Sequence, residues 1–232
     1  MQHTHHHQEE HFRGSQVVRD IVIGMSDGLT VPFALTAGLT GAVNSNSIVI
    51  TAGIAEIIAG SIAMGLGGYL AGKTDYEHFH AEKKREYLEI EEKTEVEKKE
   101  IRDILAEYDI SEKNQHLFVD DLSKNKDKWV DFMMKFELGL EKPELNRARN
   151  SAMTIAVSYI VGGFIPLLPY FLTSTPVTGL YISIAITLTA LLVFGYYKSK
   201  LTGQHPLKGA LKTTIIGAIA GTAAFAIAKL VS

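Results

Sequence analysis

The stretch Ile21–Leu35, "IVIGMSDGLTVPFAL", is almost entirely apolar and carries a single charge, the carboxylate of Asp27. With its flanks, from 20 to 43, it is long enough for a helix that crosses a bilayer, which takes about 20 residues. An acid at that depth costs a few kcal/mol or more, and such acids usually face a cavity and mark a route for ions or protons. The reading of the rest of the chain follows from this one residue.

Four further apolar runs have membrane length, at 48–72, 150–173, 177–198 and 207–231. The 232 residues carry a net charge of −3, but this near-neutrality is an average of two unlike parts. Between Lys73 and Arg149 there are 16 Lys+Arg and 21 Asp+Glu, of chain totals of 23 and 26. An apolar chain with one charge-dense insert predicts a multi-pass membrane protein with a soluble domain. There is no cysteine, which excludes disulfides and thiolate metal sites. The linkers "NSNS" (44–47) and "TSTP" (173–176) are uncharged, whereas Lys198, Lys200, Lys208 and Lys212 lie between the fourth and fifth runs. Together with Arg13 and Arg19, these put the N-terminus, the insert and the lysine loop in the cytoplasm.

The expected fold is all-α, with five transmembrane helices and a three-helix cytoplasmic metal-binding insert between the second and third. Its divisions are a His-rich tail at 1–19, helices one and two at 20–72, the insert at 73–149 and helices three to five at 150–232. The tail holds five of the nine histidines, and its irregular order reads as a native segment rather than a tag. Gly28 and Pro32 predict local opening of the first helix, and Pro166 and Pro169 predict a bend or break in the third. On the second helix Ala55, Ala59, Ala63, Gly67 and Ala71 repeat every four residues, a small-residue stripe that reads as bundle packing.

Two groups of residues carry chemistry. Asp27 and Glu56 lie deep in the first two runs, and Met64 follows Glu56 by two turns. Carboxylates suit hard divalent ions, and a thioether adds softness that favours later transition metals. In the insert, residues 73–108 read as one helix continuing the second run. On it Glu82, Glu86, Glu89, Glu97 and Glu100 form a carboxylate stripe beside the apolar face, and the pairs 86/89 and 97/100 each have the spacing to share an ion. "SEKNQHLFVDDLSK" reads as a short helix capped by Ser111, and "DKWVDFMMKFELGL" as a third, bringing Met133, Met134 and Glu137. Glu77 and His80 form a single E-x-x-H pair, where a di-iron carboxylate bundle needs two.

"RDIVIGMSDGLTVPFALTAGL" (19–39), "AEIIAGSIAMGLGGYLA" (55–71) and "GGFIPLLPY" (162–170) resemble the signature segments of the vacuolar iron transporter family. The resemblance runs from about Arg19 to the C-terminus. It implies a non-enzymatic homodimer that exports ferrous iron, and often manganese, from the cytosol in exchange for protons, along a path between subunits. It implies transport roles for Asp27, Glu56 and Met64, and metal binding by Glu86, Glu89, Glu97, Glu100, Glu137, Met133 and Met134, with Glu82 beside them. Lys84 and Lys93 interrupt the stripe and leave the number of ions open. Fe²⁺, Mn²⁺, Co²⁺ and Zn²⁺ are all candidate substrates. No prosthetic group and no nucleic-acid partner are expected. The compact chain, without an obvious organelle signal, reads as prokaryotic, and hence as residing in the plasma membrane; in a eukaryote the vacuolar membrane is expected. The alternatives are a membrane-anchored metal sensor or store, and a di-iron-type ferroxidase.

Overall fold

A computed structural model describes residues 10–144 and 146–231, and for residues 10–15 it describes the backbone alone. Histidines 3, 5, 6 and 7 of the tail, and the side chain of His11, lie outside the described residues. Among the described residues eight helices follow in order: α1 Glu10–Ala42, α2 Asn46–Glu92, α3 Thr94–Glu107, α4 Glu112–Leu122, α5 Lys126–Phe136, α6 Arg147–Leu172, α7 Pro176–Leu201 and α8 Pro206–Val231. Five of them, α1, α2, α6, α7 and α8, are long and apolar enough to cross a membrane. Within hydrocarbon every backbone polar group must find its partner inside the segment, which is why these runs are helices. The chain divides into two compact units, one of residues up to Tyr69 with Arg149 onwards, the other Leu70–Ala148.

In the first unit α1 packs on α7 and α8, and its glycines bring α6 close. A Cβ on Gly24 would land on the Ile155 carbonyl, and one on Gly28 on the Tyr159 carbonyl. Ala37, Val49, Ile57, Leu167, Tyr170 and Leu180 form the bundle core. The prolines break nothing. α1 runs through Pro32 and α6 through Pro166 and Pro169, although each proline removes one i→i−4 bond. The close α1–α6 contact and the Ser183 hydroxyl, which donates to the Pro166 carbonyl at 2.7 Å, hold the helices through these positions. The small-residue stripe is not bundle packing either: Ala55, Ala59, Ala63 and Gly67 are exposed, and a Cβ on Gly67 would meet nothing.

In the second unit the expected single helix over 73–108 is interrupted. Lys93, at φ −130° and ψ 35°, separates α2 from α3. The Thr94 hydroxyl bonds back to the Ile90 carbonyl, and the new helix begins with Glu95 and Glu97 in its first turn, where carboxylates suit the helix dipole. The break lets Ile101 and Leu105 of α3 share a core with Phe79 and Ile90 of α2 and with Trp129, Val130, Met133 and Met134 of α5. Ser111 is the N-cap of α4, but its side chain makes no capping bond. Lys83–Asp131 at 3.0 Å, Tyr87 donating to Asp127 at 2.6 Å, and Lys126–Glu91 tie α5 to α2.

The α1–α6 contact predicts that Gly24→Ala destabilises the bundle. Alanine favours a helix by about 1 kcal/mol over glycine, but overpacking against a backbone oxygen costs about 1–3 kcal/mol. The thermal midpoint of the detergent-solubilised protein, followed by monodispersity, should fall. A rise would mean that the helices part without penalty.

Candidate functional site

The membrane unit brings three polar side chains towards one another. Asp27 and Glu56 are half-buried on α1 and α2. Tyr159 of α6, itself buried, donates its hydroxyl to Glu56 Oε1 and lies within electrostatic reach of Asp27. The second oxygen, Oε2, is enclosed and has no hydrogen-bond partner among the described residues. Gly60, one turn after Glu56, makes room for this arrangement, because a Cβ there would strike the Tyr159 phenol. Met64 is half-buried on the same helix. Tyr159 is the residue that sequence reasoning missed. Its signal was a hydroxyl inside an apolar run, one turn before Gly162–Gly163.

In the insert, Glu86 of α2, Glu97 of α3 and Glu137 at the C-cap of α5 each place one carboxylate oxygen within 4.8 Å of the others. Along a straight helix Glu86 and Glu97 would be about 17 Å apart. The break at Lys93 is what brings them together, so the group joins three helices instead of pairing neighbours along one. Glu86 and Glu97 are only 1% and 3% exposed, and one oxygen of each lacks a hydrogen-bond partner among the described residues. Buried carboxylates retain protons where burial and like charges outweigh the nearby cation, here Arg85. Burial, reinforced by Glu137 and Glu89, pushes the Glu86 carboxyl up to about 7. Burial, then the charges of Glu100 and Glu86, push Glu97 to about 7 as well. Glu137 is exposed as a residue, yet its carboxyl is also raised, first by partial burial and then by Glu100 and Glu89. An orphaned, mutually repelling set of three hard oxygens fits a divalent cation.

The other stripe residues stand apart from this group. Glu89 is held by Lys93 at 3.0 Å and Arg85 at 3.4 Å, and the Lys93 hydrogen bond lowers its carboxyl below the usual value. Glu82 meets Arg85 at 2.8 Å and His78 at 3.9 Å. Glu100 is half-buried and acts on the cluster through its charge. Met133 and Met134 are buried in the apolar core of the insert. Glu77 pairs with Lys73 at 3.5 Å and the His80 ring stacks on Tyr76, so their E-x-x-H spacing builds no metal-capable group among the described residues.

Five membrane-length helices and a separate helical unit define a polytopic membrane protein. The chain belongs to the VIT family, whose model matches residues 18–229. It is 55% identical to vacuolar iron transporter 1 of Arabidopsis thaliana, over 97% of this chain and 90% of that one. It is 52% identical to vacuolar iron transporter 1 of Oryza sativa subsp. japonica, over 98% and 90%. To protein CCC1 of Saccharomyces cerevisiae it is 41% identical, over 93% and 69%. Two of these relatives are named as transporters, in keeping with the expectation that the chain is not an enzyme. They come from plants and a yeast, and the expected prokaryotic plasma membrane finds no support in them.

The raised carboxyls give a sign to the stability of the insert. The folded insert binds more protons than the unfolded chain between the ordinary carboxyl value, about 4.5, and about 7. Stability without metal is therefore full below that window, falls as pH rises through it and levels above. Trp129, the chain's single tryptophan and buried in the insert core, reports this unfolding. In EDTA its urea midpoint should drop between pH of about 5 and 8. A Glu86→Gln, Glu97→Gln double variant should flatten the profile, and Mn²⁺ should restore the midpoint of the wild type alone. A flat wild-type profile would mean that these carboxyls stay ionised.

Proposed function

We propose that this chain is a proton-coupled transporter that exports ferrous iron, manganese or both from the cytosol, with metal captured by the glutamate-rich insert. The observation that carries the reading is Glu56: a carboxylate inside a membrane-length helix, one oxygen held by Tyr159 and the other enclosed without a partner, in a chain whose relatives are named iron transporters. Such an oxygen takes a proton or a cation, and each displaces the other. Protons entering from an acidic far side then release the ion there, and the empty carboxylate returns protonated. Asp27 and Met64 complete the path, the acid supplying a second hard ligand and the thioether a preference for transition metals over Mg²⁺. Co²⁺ and Zn²⁺ fit the same ligands as secondary substrates.

The insert serves as the cytosolic collector, with Glu86, Glu97 and Glu137 as its ligands and Glu100 adding negative potential. The lysine loop and Arg19 favour the cytosol for the N-terminus and the insert. The vacuolar names of the relatives favour a vacuolar membrane, whose acidic lumen supplies the driving protons. The exposed stripe Ala55, Ala59, Ala63 and Gly67 supports a homodimer, since small side chains let helices of two copies approach. The stripe lies on the second helix, and it is the family resemblance that favours a dimer in which the first helices, carrying Asp27, meet near the two-fold axis.

In proteoliposomes with an acidic interior, the wild type should take up Fe²⁺ or Mn²⁺ while its lumen alkalinises. Asp27→Ala and Glu56→Ala should each cut the initial rate about tenfold or more, in line with the cost of disturbing an intramembrane acid. Wild-type flux from either variant would refute the assignment. Single cysteines placed along Val22–Val43 of this cysteine-free chain should cross-link between copies with helical periodicity. A helix that yields no cross-link would remove α1 from the interface.

A further inference from the structure

The Tyr159–Glu56 hydrogen bond does more than satisfy a buried hydroxyl. It divides the two oxygens of one carboxylate: Oε1 is occupied, and Oε2 is enclosed and unpartnered. The division is built in from both helices. Tyr159 is buried with its backbone against Gly28, and its phenol lies where a side chain on Gly60 would be. The residue is enclosed, only 2% exposed. A carboxylate with both oxygens free can chelate a cation through the pair, a mode suited to large, geometrically tolerant ions such as Ca²⁺, with bonds of about 2.3–2.6 Å. Smaller ions that demand near-octahedral geometry are served less well by the narrow bite of a chelating carboxylate.

We propose that Tyr159 is a specificity-determining residue: by keeping Glu56 Oε1 in a hydrogen bond, it offers a cation one oxygen only, so that the membrane site accepts small divalent ions and rejects Ca²⁺. This rests on the transport role of Glu56 and adds to it a basis for selection. Asp27, within electrostatic reach of the same phenol, adds its own hard ligand to the bound ion but does not restore the chelating pair on Glu56. The charge of the pair therefore attracts any divalent cation, while the number of oxygens available decides which one fits.

The test is Ca²⁺ inhibition of Mn²⁺ entry into proteoliposomes. Tyr159→Phe keeps the ring and deletes the hydroxyl. Gly60→Ala keeps the hydroxyl and displaces the ring that carries it. Both should lower the Ca²⁺ concentration that halves Mn²⁺ flux by about tenfold relative to the wild type, equivalent to about 1.4 kcal/mol. The insert is the same in all three proteins, so Ca²⁺ bound there cancels in the comparison. A merely structural tyrosine would reduce maximal flux and leave the Ca²⁺ inhibition constant unchanged, and that outcome in both variants overturns the proposal. Should Tyr159→Phe be lost from the membrane fraction, Gly60→Ala decides by the same criterion. Glu56→Ala separates the two levels. If it abolishes flux while neither variant gains Ca²⁺ sensitivity, specificity by Tyr159 fails and transport through Glu56 stands. If it transports like the wild type, both fail.

Discussion

A carboxylate buried without a counter-charge persists only with a proton or with a cation, and both units of this chain are organised around that alternative. In the insert, Glu86 and Glu97 are shut away from water beside each other, with Arg85 and Lys93 engaged by Glu82 and Glu89 at the edge. In the bundle, Glu56 has one oxygen bonded to a tyrosine and the other enclosed without a partner. Neither arrangement is the most stable that the space allows. An apolar core of the same volume would avoid the desolvation penalty altogether. The penalty is what makes each site responsive, because a group that is comfortable in neither charge state answers to whichever partner arrives.

The two sites differ in how that response is framed. The insert cluster draws one carboxylate from each of three helices, so a cation held there would bear on how α2, α3 and α5 pack. The bundle site is held by glycine-mediated helix contacts, at Gly24, Gly28 and Gly60, that leave little room for adjustment. Under the proposed function, a cluster shared by three helices and a closely packed bundle site suit ions that are first gathered and then distinguished.

The membrane helices were legible because hydrocarbon imposes one solution on any long apolar run, and Asp27 and Glu56 stood out against it. The insert glutamates were legible as a set but not in their grouping. Nothing in "IEEKTEV" announces a break: there is no Gly or Pro, and a straight helix suits every residue. The turn at Lys93 is decided by tertiary packing, which gives Ile101 and Leu105 a core that a straight helix would deny them. That single turn converts sequence neighbours into strangers and brings Glu86 to Glu97. The ion pairs that claim Glu82 and Glu89 depend on Arg85 and Lys93, within a turn of them, yet their strength follows from rotamers that periodicity does not fix. The prolines misled for a related reason, since a missing backbone bond is tolerated where a neighbouring helix is close enough to support the segment.

The closing loops of the bundle carry a further consequence. Thr40 bonds to the Tyr170 hydroxyl, and the Asn46 amide donates to the carbonyls of Tyr170 and Thr173. Thr175 caps α7. Only amides, hydroxyls and backbone groups take part in these ties, and none of them changes charge between neutral and strongly acidic conditions. Loops joined in this way keep their shape whatever the acidity they face. These ties hold alike at neutral and at acidic pH, and the loop end of the bundle behaves as chemically inert masonry.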